Sequence, residues 1–156
     1  IATALGEKYP LLSYSVWSTE QLKSFAHHLL ARFVMFVYVD RDDMSGIYDF
    51  LKDNGYDTWL NPRGKDVQKF SIGEKTVVIR PAISRERSSV HYADIEKVLV
   101  DLFVEVAALN LMDEDECYRI LVRVLTVDRL DIGAFLNYAQ RRKLNTMRVV
   151  EQIKSI

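Results

Sequence analysis

The apolar run from Phe33 to Val39 constrains the fold more than any other stretch of this chain. Its residues, FVMFVYV, are aromatic, branched or flexible apolar side chains with no charge among them. Aromatic and β-branched residues favour an extended backbone, and a strand that is apolar on both faces is typical of the middle of a sheet. The run therefore predicts a central strand with a neighbouring strand on each side.

Shorter signals around this strand predict the rest of a small sheet. The residues before Tyr14 include the breakers Gly6 and Pro10 and are expected to be irregular. A helix is expected over residues 43–54, with Gly55 in the left-handed conformation that ends many helices. A strand is expected at 14–17, and a capping box of Ser18 and Gln21 is expected to open a helix that runs through Leu29. Further along, a strand is expected at 56–60, followed by a hairpin of 67–72 with 75–80 around Gly73-Glu74.

The character of the chain changes after Pro81, and the second half is predicted to be helical. The expected helices are one over about 94–109, one from Asp113 and Glu116 to about Leu125, one capped by Asp131, and a last one that begins at Asn145 or Thr146. This order predicts an α/β (α+β) fold: a small mixed sheet of about five strands with helices packed on it, followed by a helical C-terminal half.

Length and composition are those of one ordinary globular domain. The chain has 156 residues, of which 49% are hydrophobic, and a net charge of −1. We expect residues 1–156 to be a single domain, with the sheet in about 12–81 and the helices in about 92–156. Because the chain begins at Ile1 rather than Met, it is expected to be a fragment of a longer protein.

The same composition indicates the compartment in which the protein is expected. Its near-zero net charge predicts no general attraction to nucleic acid or to anionic lipid. No apolar run reaches the roughly 18 residues of a membrane span, and no signal peptide is visible. The single cysteine, Cys117, cannot form an intrachain disulfide and fits a reducing compartment. We therefore expect a cytoplasmic protein that does not contact a membrane.

Acidic residues after the central strand raise the question of a metal site. Asp40, Asp42 and Asp43 follow the strand directly, where oxygen ligands for a hard cation often lie. A nucleotidyltransferase would also need a Gly-Ser loop before these acids, and none precedes them. The simpler interpretation is a solvated turn that caps the next helix. The sequence therefore predicts no catalytic residue, no metal ligand and no cofactor.

The histidines and the cysteine give no stronger signal for chemistry. The adjacent residues His27 and His28 point to different sides of a helix and cannot bind one metal together, and His91 stands in a loop. We expect all three histidines on the surface. Cys117 lies in an acidic helix, which disfavours its thiolate, so it is expected to be a core or half-buried residue.

The helix that begins near Tyr92 combines an apolar stripe with charged residues. Ile95, Val98, Leu99 and Leu102 recur at helical spacing, and Glu96, Lys97 and Asp101 lie beside them. Such a helix is either a core helix with a charged edge or part of a partner-binding surface. An ion pair of Lys97 with Asp101 and a contact of Glu96 with Arg142 would each be an adequate structural reason for these charges.

A basic cluster near the end of the chain predicts a binding surface. The segment 141–154 contains a single acid, Glu151, and five basic residues: Arg141, Arg142, Lys143, Arg148 and Lys154. Such a cluster can contact phosphates or an acidic protein partner. The alternative is a solvated helix edge.

Three segments together resemble one bacterial family. Residues 14–19 (YSVWST) look like its Y-x-x-W-S-T motif, residues 95–102 (IEKVLVDL) like its LEK-x-LVDL helix, and residues 138–142 (YAQRR) like its YA-x-RR motif. The chain is thereby similar to the AbiEi-type antitoxins of abortive-infection (type IV) toxin–antitoxin systems. The positions that the resemblance carries over are Trp17, Glu96, Lys97, Asp101, Tyr138, Arg141 and Arg142.

The resemblance implies a role in regulation. In that family a winged-helix domain reads operator DNA, a C-terminal domain acts as antitoxin, and the cognate toxin is a nucleotidyltransferase-like protein. No winged-helix pattern precedes Tyr14, so the chain would correspond to the C-terminal domain, and DNA contact would come mainly from a missing N-terminal part.

The leading hypothesis is thus a non-enzymatic domain of an antitoxin-like transcriptional regulator. It would act through protein contacts and through phosphate contacts by Arg141, Arg142, Lys143 and Arg148. One alternative is a metal-dependent nuclease or nucleotidyltransferase-like enzyme with Asp40, Asp42 and Glu96 as ligands. Another is a dimerisation module, in which the chain is a homo-oligomer.

Overall fold

A computed structural model describes residues 2–26, 32–83, 94–127 and 130–154. The chain divides into two compact units. The sheet unit consists of Ile1–Thr19 and Arg32–Ala93, and the helical unit consists of Glu20–Ala31 and Asp94–Ile156. The predicted α/β fold with a mixed sheet and a helical C-terminal half is confirmed.

The sheet has four strands in the order β1-β2-β4-β3. Strand β1 is antiparallel to β2, whereas β2, β4 and β3 run parallel to one another. Their bounds are Tyr14–Ser18 for β1, Val34–Val39 for β2, Asp57–Leu60 for β3 and Thr76–Pro81 for β4. Strand β2 lies inside the sheet and is buried at all positions except Met35, so the prediction of a central strand is confirmed.

Two helices cover one face of this sheet. They are α1, Ala2–Lys8, and α2, Met44–Asp53. Leu5 from α1, Ile47 and Leu51 from α2, and Val37 and Val39 from β2 belong to one apolar core. Gly55 has φ +86° directly after the C-cap of α2, which confirms the predicted left-handed end of that helix.

The expected hairpin is wrong, and the sheet has four strands rather than five. A 3-10 helix, Gly64–Lys69, occupies much of the segment that was predicted to be a strand at 67–72. The physical reason is that β4 already pairs on both sides, with β2 and with β3, so no edge of β4 remains for a hairpin partner. The turn before β4 is instead closed by Thr76, whose hydroxyl accepts a hydrogen bond from the Gly73 N–H at 2.6 Å and donates one to Asp57 at 3.1 Å.

Two other expectations near the N-terminus also fail. Residues 2–8 are helical rather than irregular because Leu5 is fully buried in the core, and its burial outweighs the low helix propensity of Gly6. The helix expected from Ser18 is a short 3-10 helix, Thr19–Leu22, in the described part of the chain. Residues 23–25 of that expected helix form a turn. Its remaining part, with His27 and His28, lies outside the described residues, as does His91.

The helical unit contains the four predicted helices. They are α3 (Ile95–Leu109), α4 (Glu114–Val127), α5 (Ile132–Arg141) and α6 (Met147–Lys154). Helix α3 packs against α4 and α5, and α6 packs against α4. Two of the predicted caps are confirmed: a side-chain oxygen of Asp131 accepts the Ala134 N–H at 3.0 Å, and one of Asn145 accepts the Met147 N–H at 3.1 Å. No helix in the described ranges is long and apolar enough to cross a membrane.

Helix α5 ends in a Schellman motif that places Lys143 in a left-handed conformation. The Leu144 N–H donates to the Ala139 carbonyl at 2.9 Å, the Lys143 N–H donates to the Gln140 carbonyl at 3.0 Å, and φ of Lys143 is +56°. A residue with a Cβ is strained in this region, whereas glycine is not.

We expect Lys143→Gly to raise the free energy of unfolding of the helical unit by about 0.5–1 kcal/mol, because glycine removes the strain of the left-handed backbone. Urea unfolding followed by far-ultraviolet circular dichroism measures this change. Lys143→Ala is the matched control, since it removes the same charge and keeps the strain. A Lys143→Gly variant no more stable than Lys143→Ala would contradict the prediction.

Candidate functional site

Charged and polar side chains meet between α3 and α5 in a network that we call the buried ion-pair network: Lys97, Asp101, Tyr138 and Arg142. The Tyr138 hydroxyl donates to Asp101 Oδ1 at 2.7 Å, and Arg142 Nη1 lies 3.3 Å from the same oxygen. The side chain of Asp101 is 0% exposed and that of Arg142 is 7% exposed. Two residues of the resembled YA-x-RR motif thus bind one residue of the resembled LEK-x-LVDL helix.

Helical spacing explains why these residues meet. Tyr138 and Arg142 are four residues apart, so both project from the same side of α5 and its C-cap towards α3. Lys97 precedes Asp101 by four residues, and its Nζ lies 5.8 Å from the centre of the Tyr138 ring. The charged edge predicted for α3 is therefore turned towards α5.

Burial dominates the electrostatics of this network. Desolvation raises the pKa of Asp101 to about 6, although Arg142, the Tyr138 hydroxyl and Lys97 act in the opposite direction. The neighbouring Glu105, itself only 1% exposed, adds to the rise of the Asp101 pKa. Burial also lowers the pKa of Lys97 and raises the pKa of Tyr138. One oxygen of Asp101, Oδ2, is buried without a hydrogen-bond partner, so the carboxylate is only partly compensated.

This electrostatic arrangement makes the stability of the helical unit depend on pH. Because the folded-state pKa of Asp101 is about 6 and the ordinary pKa of an aspartate is 3.8, the folded state binds this proton more tightly than the unfolded state. The contribution of Asp101 to stability is present below about pH 4 and is lost as the pH rises through 6. A difference of about two pKa units corresponds to about 3 kcal/mol.

We expect the wild-type chain to lose about 3 kcal/mol more unfolding free energy than Asp101→Asn between pH 4 and pH 7, because the amide does not ionise. Urea unfolding at several pH values, followed by circular dichroism, measures the difference. Glu151→Gln, an exposed substitution on α6, is the control and should keep the wild-type pH profile. Parallel profiles for wild type and Asp101→Asn would refute the prediction.

Glu96 has a structural role that differs from the expected contact with Arg142. Its Oε1 accepts the backbone N–H of Asp131 at 2.9 Å, so it joins the start of α3 to the start of α5. Asp131 is the N-cap of α5, and a carboxylate at a helix N-terminus is stabilised by the helix dipole. Arg142 pairs with Asp101 instead.

Trp17 is a buried residue of strand β1 in the sheet unit. Its side chain is 1% exposed, its Nε1 donates to the Tyr38 hydroxyl at 3.3 Å, and its ring stacks on Phe36 at a centroid distance of 4.6 Å. The resembled Y-x-x-W-S-T motif is strand β1 itself. Trp17 therefore holds β1 against β2 and is not presented to a partner.

The structure does not bring the four predicted binding residues together as one exposed basic surface. Arg141 and Lys143 are exposed near the end of α5. Arg142, which stands between them, is buried against Asp101. Arg148 lies on α6 and forms ion pairs with Glu114 at 3.1 Å and Asp115 at 2.9 Å. Only Arg141 and Lys143 remain as a pair of exposed basic neighbours.

Arg148 also contacts an aromatic ring. Its Cζ lies 4.2 Å from the centre of the Tyr118 ring, and the Tyr118 ring is 5.0 Å from that of Phe103. Arg148 on α6 is thus fixed by two acids and one ring, all on α4. The cation–π contact and the two ion pairs therefore join α6 to α4 at the surface.

Two concavities lie on either side of Arg148. One has a volume of about 480 Å³ and is lined by α3, α4 and the connection between α5 and α6, including Phe103, Val106, Asn110 and Leu144. The other, which we call the arginine groove, has a volume of about 390 Å³. The arginine groove is lined by Asp115, Tyr118, Arg119, Val122, Arg123 and Arg148.

Arg119 was missed by the sequence analysis, although a signal for it exists. Arg119 and Arg123 are four residues apart on α4 and therefore lie on the same side of that helix. The third arginine of the groove, Arg148, is far from them in sequence and comes near them because α6 packs on α4. The sequence alone therefore does not show that the three lie together.

The acids after β2 form the expected turn before α2, but neither Asp40 nor Asp43 makes a side-chain capping hydrogen bond. Asp40 and Asp42 are exposed, the 3-10 helix Arg41–Asp43 leads into α2, and Asp43 is the N-cap of α2. Within residues 2–26, 32–83, 94–127 and 130–154, no three His, Cys, Asp or Glu side chains converge as metal ligands. Cys117 is a buried core residue as expected, and burial raises the pKa of its thiol to about 12.

Comparison with known proteins gives a family and no assigned chemistry. A family model described as "Family of unknown function (DUF6577)" matches residues 1–155. The comparisons with curated proteins and with solved structures give no match.

Proposed function

The chain belongs to the family of unknown function DUF6577, and we propose that it is a non-enzymatic protein-binding domain of an antitoxin-like regulator. The partner implied by the resemblance is a cognate nucleotidyltransferase-like toxin in the cytoplasm. The binding surface in this proposal is formed by α4 and α6 of the helical unit.

One observation carries the proposal. The charged residues that the sequence marks on α3 and α5 are used inside the helical unit: Asp101 and Arg142 pair with each other, and Glu96 accepts the backbone N–H of Asp131, the N-cap of α5. Asp101 is 0% exposed and cannot reach a ligand outside the protein. The charged groups that do line concave surface stand on α4 and α6. This distribution favours surface recognition by a rigid helical unit.

A contact to DNA phosphate is a secondary part of the proposal. The exposed pair of Arg141 and Lys143 favours it. Two phosphate contacts change the slope of the logarithm of the binding constant against the logarithm of the salt concentration by only about two. Such a contact would support binding by a separate DNA-reading domain rather than replace one.

The proposal is tested by calorimetric titration of the full chain with a nucleotidyltransferase-like toxin of the kind that the resemblance implies. We expect a stoichiometric complex that lowers the activity of the toxin. Absence of a complex at the highest attainable concentrations would overturn the proposal. The mass of the chain alone across a concentration series tests the dimerisation alternative, which a monomer at high concentration would exclude.

DNA binding is tested in a salt series with the double variant Arg141→Ala/Lys143→Ala. Binding to duplex DNA that weakens with salt, with a slope reduced by about two in the variant, would support the phosphate contact. Arg63→Ala/Lys65→Ala, two exposed basic residues of the sheet unit, is the matched control. Equal slopes for both variants would remove Arg141 and Lys143 from DNA contact.

A further inference from the structure

We infer that the outer edge of β3 pairs with β3 of a second copy of this chain, so that two sheets join across a two-fold axis. Strand β3 belongs to the sheet unit, whereas the surface in the proposed function belongs to the helical unit. The inference is therefore independent of the proposed function.

The backbone of β3 has one side that faces away from β4. Among the strands that the structure describes, β3 pairs with β4 alone and forms one edge of the sheet. The N–H groups of Asp57 and Asn61 donate to backbone carbonyls on the β4 side at 2.9 and 2.8 Å. Because backbone groups alternate sides along a strand, the N–H and C=O groups of Thr58 and Leu60 point outward.

This outer row of backbone groups is complementary to itself in an antiparallel arrangement centred on Trp59. Thr58 of one copy would lie opposite Leu60 of the other, and the two residues would exchange both N–H···O bonds. The two-fold axis repeats the exchange on its other side. Trp59 would then lie directly opposite Trp59 of the second copy, at a separation at which cross-strand side chains contact each other.

The side chains of β3 do not protect its edge against such pairing. Edge strands in natural proteins are commonly blunted by lysine, by proline or by inward-pointing charges. The last three residues of β3, Thr58, Trp59 and Leu60, are uncharged, and Leu60 is 43% exposed. In the paired arrangement Leu60 packs beside Thr58 of the second copy, which covers part of this apolar surface.

Exposed charges at the two ends of β3 favour the antiparallel arrangement. Asp57 begins the strand, and Arg63 follows its end by three residues. Neither forms a salt bridge with another described residue, and Lys75, near the start of β3, lies over the Tyr56 ring. A two-fold axis brings Asp57 of one copy towards Arg63 of the other, whereas a parallel arrangement would bring like charges together.

Pairing through β3 ends at two copies. The opposite edge of the sheet, β1, is buried at every position except Ser18. The joined sheet would therefore have a buried β1 at each end and no further open edge. A closed dimer is expected rather than an extended series of sheets.

The backbone pairing is tested by sedimentation equilibrium of the full chain across a concentration series. Because β3 has only four residues, we expect a reversible dimer that forms as the concentration rises. Leu60→Pro removes an outward N–H and keeps the bonds to β4, as proline does on edge strands. Leu60→Ala is the matched control, since it shortens the same side chain and keeps the N–H. The dissociation constant of Leu60→Pro should exceed that of Leu60→Ala about tenfold or more.

Tryptophan fluorescence places the interface on the molecule. Trp17 is 1% exposed, so an emission shift on dimerisation reports the partly exposed Trp59. We expect the emission of the wild-type chain to move to shorter wavelength over the same concentrations at which its mass doubles. A dimer that forms without any emission shift would place the interface elsewhere and overturn the inference.

The charge arrangement is tested with Arg63→Asp, which leaves the strand itself unchanged. This substitution places like charges at both ends of the paired strands, so it should weaken the dimer about threefold or more at low salt and lose this effect at high salt. Lys23→Asp, at an exposed position of the helical unit, is the matched control. Circular dichroism establishes that all four variants are folded.

Three outcomes would overturn the inference. A chain that stays monomeric at every concentration would leave the edge of β3 to a strand of another protein. Equal dissociation constants for Leu60→Pro and Leu60→Ala would exclude backbone pairing through Leu60. Equal behaviour of Arg63→Asp and Lys23→Asp would exclude the antiparallel arrangement of the charges.

Discussion

Arg142→Met is expected to lower the free energy of unfolding of the helical unit by about 3–5 kcal/mol, the usual cost of removing one partner from a buried ion pair. The substitution keeps most of the side-chain volume but leaves Asp101, which is 0% exposed, without its guanidinium. The adjacent Tyr138 hydroxyl then becomes the principal hydrogen-bond donor to Asp101. Part of the cost can be relieved by protonation of Asp101, so the loss should be larger at pH 8 than at pH 6.

A double-mutant cycle distinguishes an ion pair from simple packing. Asp101→Leu/Arg142→Met replaces both charges with apolar groups and should be more stable than the sum of the two single changes by about 0.5–3 kcal/mol. Arg141→Met, at the exposed neighbouring position, is the control and should change stability by less than about 0.5 kcal/mol. Additive effects in the cycle would show that Asp101 and Arg142 do not depend on each other.

Arg80→Met is expected to lower the free energy of unfolding of the sheet unit by about 2–3 kcal/mol. Arg80, near the end of β4, is 8% exposed and donates to the Asn61 side chain at 3.1 Å and to the Pro62 carbonyl at 2.6 Å. Asn61 has φ +44°, so the turn after β3 is strained and depends on these bonds. Hydrogen bonds from a charged donor contribute about 1.5–3 kcal/mol, and methionine makes neither bond.

Tryptophan fluorescence isolates this effect from the helical unit. The two tryptophans of the chain, Trp17 and Trp59, both belong to the sheet unit, whereas circular dichroism is dominated by the helices. Urea unfolding of Arg80→Met should therefore shift the fluorescence transition. Arg63→Met, an exposed arginine in the same turn, is the control. An unchanged fluorescence midpoint for Arg80→Met would show that the turn is held by other contacts.

The elements that the sequence predicted correctly depend on neighbours along the chain. Three kinds of correct prediction are local: the continuous apolar run of β2, the apolar stripe of α3, and the caps at Asp131 and Asn145. In each case the residues involved lie within one strand or within one or two helical turns. Their conformations follow from local propensity and from capping residues, both of which are visible in the sequence. Asp101 was found in the same way, as a charge beside an apolar stripe.

The wrong predictions concern segments whose conformation or exposure depends on residues far away in the sequence. Strand β4 lies between β2 and β3, and this non-local pairing removes the edge that a hairpin at 67–72 needs. Residues 2–8 fold as α1 because Leu5 is buried by residues far along the chain. The basic cluster was predicted from composition, but Arg142 is removed from the surface by an acid on another helix.

By itself, the sequence determined the type and approximate bounds of most helices and strands and marked the charged residues of α3 and α5. Only the tertiary structure decided which of those charges meet: Tyr138 and Asp101 are 37 positions apart, and Arg148 is 33 positions from Asp115. The physical reason is that secondary structure is set largely by interactions within a few residues, whereas burial and ion pairing depend on packing between helices. The same packing unites Arg119, Arg123 and Arg148 in one groove.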